Sequence, residues 1–156
     1  FESGFADEEI QWQYLSEQLR QAQDCPVALF MHKPPCLTSF REDDYNTKVI
    51  PAQARSRLQQ ILHNSNVGLI CCGHLHVYRT FHTLGMTVVV APTIMRGAND
   101  YVSDNGHGVN GLVEYNFDGA GVEFRLREPP GVTRPHLPEG ARVEWPIYLA
   151  ESIDNG

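Results

Sequence analysis

An α/β fold is what this chain of 156 residues predicts, and three observations carry that expectation. Two short apolar runs, "PVALFMH" (26–32) and "VGLICC" (67–72), each follow a segment with helical spacing. Four further strand-like segments come later, separated by turn residues. The resulting order is helix, strand, helix, strand, then four strands, which is the order of a layered α/β domain.

Each element has a local reason. In "DEEIQWQYLSEQLRQA" (7–22), Trp12, Leu15, Leu19 and Ala22 recur on one helical face. Its acidic residues crowd the first turn, where the helix dipole favours them. Asp24-Cys25-Pro26 ends that helix, and "PVALFMH" follows as a strand expected to be buried on both faces. Lys33-Pro34-Pro35 stops the strand, because proline donates no ladder hydrogen bond and holds its predecessor extended. Residues 37–50 are polar and irregular. Pro51 suits the first turn of a second helix with Ala54, Leu58, Ile61 and Leu62 as its apolar stripe. "VGLICC" is the second buried strand. "YRTFHT" (78–83), "MTVVVA" (86–91), "GLVEYNF" (111–117) and "VEFRLR" (122–127) read as shorter strands, with turns at Leu84-Gly85 and at Asp118-Gly119-Ala120-Gly121. Residues 92–110 form a Gly/Asn/Asp-rich loop, and from Pro129 onward five prolines suggest a tail without periodicity.

The bulk properties narrow the function. At this length one domain buries roughly 68–70% of its unfolded surface. The net charge is -7, with 12 basic residues against 19 acidic ones and no Lys/Arg cluster, so a nucleic-acid partner is not expected. No apolar run is long enough to span a membrane. The four cysteines form no CxxC pair; Cys71 and Cys72 read as small buried hydrophobes and favour a reducing, cytoplasmic compartment. Phe1-Glu2-Ser3-Gly4 has no signal-peptide pattern and reads as a cut through a longer polypeptide.

Three of the seven histidines sit where strands end. His32 closes the first apolar run, and His74 follows the second after Gly73. His76 comes one residue later, so that in an extended segment both side chains leave the same face. The ends of buried strands in an open sheet are where ligands gather. Neutral imidazole is a common ligand of transition-metal ions, so His32, His74 and His76 are candidate metal ligands. Arg79 is a candidate contact for a substrate phosphate. His107 and Asn99, in the long loop, are placed to line a cleft or to face solvent.

"FMHKPP" followed by "LICCGHLHVYR" resembles the last two motifs of the calcineurin-like metallophosphoesterases, in which a strand-ending His precedes prolines and a GHxH follows the next strand. The helix "EEIQWQYLSEQLRQA" resembles the one preceding that histidine in bacterial cyclic-nucleotide-phosphodiesterase-like members. The resemblance covers roughly residues 7–127. It implies that residues 1–128 are the C-terminal half of a four-layer α/β/β/α metallophosphoesterase sandwich, with 129–156 as a Pro-rich tail. It also implies a dinuclear site of two divalent ions (Mn, Fe, Zn or Mg) in which His32 and His74 ligate one metal and His76 the other. The implied reaction is in-line hydrolysis of a small phosphate mono- or diester.

The family's first half supplies DxH, GDxxD and GNH(D/E) motifs, and none occurs in this chain. Asp104-Asn105-Gly106-His107 is the nearest approach, and it follows the GHLH instead of preceding it. Three imidazoles without carboxylates leave two cations uncompensated, so the chain alone is expected to bind metal weakly and turn over little. Half of a layered domain exposes strand edges, and such a fragment is expected to form homo-oligomers or swap elements. The competing reading is a non-catalytic, partner-binding scaffold on the same fold.

Overall fold

A computed structural model of the chain describes residues 7–22, 25–41, 48–94 and 106–130 and the backbone of 141–144. Helix α1 (Glu8–Gln21) leads into strand β1 (Val27–Phe30), and helix α2 (Ala52–Leu62) leads into β2 (Val67–Cys72). The strands β3 (Arg79–Thr83), β4 (Met86–Val90), β5 (Leu112–Asp118), β6 (Gly121–Arg127) and β7 (Ala141–Glu144) follow. The strand β7 lies inside the segment expected to be a tail. It pairs antiparallel with β6, from Gly121↔Glu144 to Phe124↔Ala141.

Two sheets result. One is four-stranded in the order β1-β2-β4-β3, and the other is three-stranded in the order β5-β6-β7. In the first, β1, β2 and β4 run parallel and β3 returns antiparallel to β4. The β3–β4 hairpin closes through Leu84 at φ 50° and Gly85 at φ 76°. Two successive positive φ angles match the twist of the strands on either side. At the β5–β6 turn, the Asp118 carboxylate accepts hydrogen bonds from the Ala120 and Gly121 amides, at 2.8 Å each. The turn residues singled out in the sequence act here through conformational freedom and local hydrogen bonding.

Alternate residues of the four-stranded sheet serve two cores. One face packs Ile70, Cys72, Val88 and Val90 against Trp12 and Leu19 of α1 and Leu58 and Leu62 of α2. The other packs Leu69, Cys71 and Val89 against Val122 and Phe124 of β6. The register between β1 and β2 slips after Val27↔Val67, so that Ala28 pairs with Leu69 and Gly68 is the extra residue. That bulge puts Val67 on the helix side with Ile70, where strict alternation would have sent it to the other face. Burying a side chain such as Leu58, which is 0% exposed, contributes about 1.5–3 kcal/mol. The described residues therefore stack as helices, a four-stranded sheet and a three-stranded sheet, which makes the chain an α/β protein.

The burial expected of β1 is a point of difference. All six residues of β2 are buried, but β1 is half-buried and its Phe30 is 60% exposed. The cause is position: β1 is the outer strand of its sheet, so an apolar sequence that looks interior has one open side. The outer face of the three-stranded sheet is polar, with Arg125 and Arg127 both bonded to the Glu114 carboxylate. Among the described residues no helix is long and apolar enough to cross a membrane.

Candidate functional site

Backbone hydrogen bonds carry the pairing past the formal ends of the parallel strands. The Met31 amide donates to the Cys71 carbonyl and the Gly73 amide to the His32 carbonyl, both at 2.9 Å. The Ala91 amide donates to the Cys72 carbonyl at 2.7 Å. The carboxyl ends of β1, β2 and β4 are thus fastened side by side, and His32 is tied to the residue preceding His74.

The chain then turns sharply. The Leu75 amide donates to the Gly73 carbonyl at 2.7 Å, closing a three-residue turn around His74, whose φ is 68°. This is a γ-turn geometry, and His76 follows it with φ 56°. Positive φ in a residue with a Cβ costs about 1–3 kcal/mol and persists only where surrounding packing holds it. Leu75 and Val77 do the holding, since both are buried in the helix-side core. They alternate in sequence with His74 and His76, of which His76 lies between the two apolar anchors and His74 just before them. After His32, Pro34 and Pro35 are buried, and the Pro34 carbonyl accepts from the Ile50 amide.

His32 and His74 meet. His32 Nε2 lies 3.1 Å from His74 Nδ1, and the rings stand edge to face with centroids 5.0 Å apart. One nitrogen donates and the other accepts, according to tautomer. His32 is exposed and His74 half-buried, so the pair sits at the surface of the strand ends. His76 is exposed two residues on. Among the described residues, no group of three or more His, Cys, Asp or Glu side chains is positioned to hold a metal ion.

The His32–His74 spacing bears on whether a cation fits. Two nitrogens bound to one tetrahedral ion at 2.0–2.1 Å are roughly 3.3–3.4 Å apart, and a right-angled pair at similar distances is roughly 3.0 Å apart. The observed 3.1 Å falls at that spacing. The same 3.1 Å is the length of the hydrogen bond between the two rings, so a cation would have to displace the shared proton before both nitrogens could ligate it.

The nearby cysteines do not extend that set. Burial pushes the Cys71 thiol up to about 11 and the Cys72 thiol higher still, so neither is a thiolate near neutral pH. Arg79 opens β3, on the opposite edge of the sheet from β1. Three strand spacings put its backbone roughly 14 Å from that of β1. Its guanidinium lies over the Phe81 ring, 5.2 Å from the centroid.

His107 returns beside the pair's loop. It exchanges both backbone hydrogen bonds with Tyr78, each at 2.8 Å. Sequence reading gave this histidine no more weight than a solvent position, because pairing between residues 78 and 107 leaves no local pattern. Asn99 lies outside the described residues, as do Asp104 and Asn105.

No family model and no curated protein matches the chain. Among solved structures it is similar to one titled "GAP50 the anchor in the inner membrane complex of Plasmodium", with a TM-score of 0.67 and 13% sequence identity. The match covers 88% of this chain and 43% of that one. At that identity the likeness is one of fold, and the chain spans less than half of that neighbour's length.

Proposed function

We propose that this chain is the histidine-bearing C-terminal half of a two-metal phosphoesterase that hydrolyses small phosphate mono- or diesters. The observation that carries this reading is the 3.1 Å approach of His32 to a histidine held at positive φ. Unfavourable backbone conformations persist where function uses them, and two within three residues coincide here with the GHLH motif. The two stacked sheets and the helical layer would be three of the four layers of an α/β/β/α sandwich.

In this proposal His32 and His74 hold one divalent ion and His76 contributes to the second. Such ions supply Lewis acidity for in-line displacement at phosphorus. The chain's own contribution is orientation. The Gly73–His32 backbone bond fixes the distance between strand ends, and buried Leu75 and Val77 anchor the segment that carries His74 and His76. Imidazoles bring no negative charge, so the carboxylates that compensate the cations come from outside this ligand trio. The preference of Mg- and Mn-type ions for oxygen ligands points the same way.

A second reading has its own support. The structural neighbour is described as an anchor, which fits a non-catalytic, partner-binding scaffold on this fold. The strained histidines weigh against it, because a scaffold needs no converging imidazoles. Hydrolysis of bis(p-nitrophenyl) phosphate by the full-length polypeptide with added Mn²⁺ separates the two. Activity that disappears in His74→Ala, with unchanged circular dichroism, supports the enzyme; an equally active His74→Ala protein overturns it.

A further inference from the structure

We draw no further inference here: the strongest candidate, the aromatic surface patch where Phe30 of the edge strand β1 meets Tyr115 and Phe117 of β5, carries nothing because nothing in the structure shows what covers it.

Discussion

His32 and His74 are 42 positions apart in sequence, yet their ring nitrogens lie 3.1 Å apart. Neighbouring parallel strands bring them together, and the backbone bond from Gly73 to the His32 carbonyl completes the approach.

The turn around His74 predicts an opposition between stability and binding. Glycine accepts φ 68° without the steric cost that a Cβ imposes. His74→Gly is expected to be about 1 kcal/mol more stable to urea than His74→Ala. On the proposal that His74 ligates a metal, Zn²⁺ should raise the melting temperature of the parent chain and do so less in both variants, because each removes that ligand. The loss of Zn²⁺ affinity should exceed the roughly 10–100-fold typical of removing an outer-shell partner. A glycine variant less stable than the alanine one would contradict the strain assigned to this residue.

Acid should weaken the outer face of the three-stranded sheet. Hydrogen bonds from Arg127 and then Arg125 hold the Glu114 carboxyl at about 2, against its ordinary 4.5. A carboxyl lowered in the folded state adds stability that is fully present above about 4.5 and is lost as pH falls through about 2. Glu114→Gln is expected to flatten that part of the curve of urea midpoint against pH. Because the group is exposed, 1 M NaCl should flatten it too. A curve that keeps its slope in the variant would remove Glu114 as the source.

The open side of β1 predicts self-association of the isolated chain. Phe30 is 60% exposed on this edge strand and meets Tyr115 edge to face at 5.6 Å, while Phe117 stacks on Tyr115 at 6.3 Å. Both β1 and β5 are outer strands, so the aromatic cluster spans one flank of the two stacked sheets. Sedimentation velocity should show concentration-dependent oligomers, and Phe30→Lys should shift them toward monomer, since an edge lysine opposes strand addition. A monomeric parent chain at high concentration would count against this.

Much of the fold was legible because its causes are local. Apolar spacing marked both helices, Pro51 and Gly85 marked a helix start and a hairpin, and an unbroken apolar run marked β2. The strand β7 went unread because the alternation of Ala-Arg-Val-Glu over 141–144 is only four residues long in a proline-rich stretch, and pairing with β6 decides its structure. The exposure of β1 was hidden for a related reason, as the same apolar residues suit a central strand or an edge.

For the site, the sequence by itself determined which residues stand at strand ends: His32 before two prolines, and Gly73-His74-Leu75-His76 after β2. Only the tertiary structure decided that His32 touches His74, that His74 and His76 take positive φ, and that His107 is tied to Tyr78. Those outcomes depend on strand order and on pairing between distant segments. Such pairing is set by how whole faces pack, a quantity that no short window of residues contains.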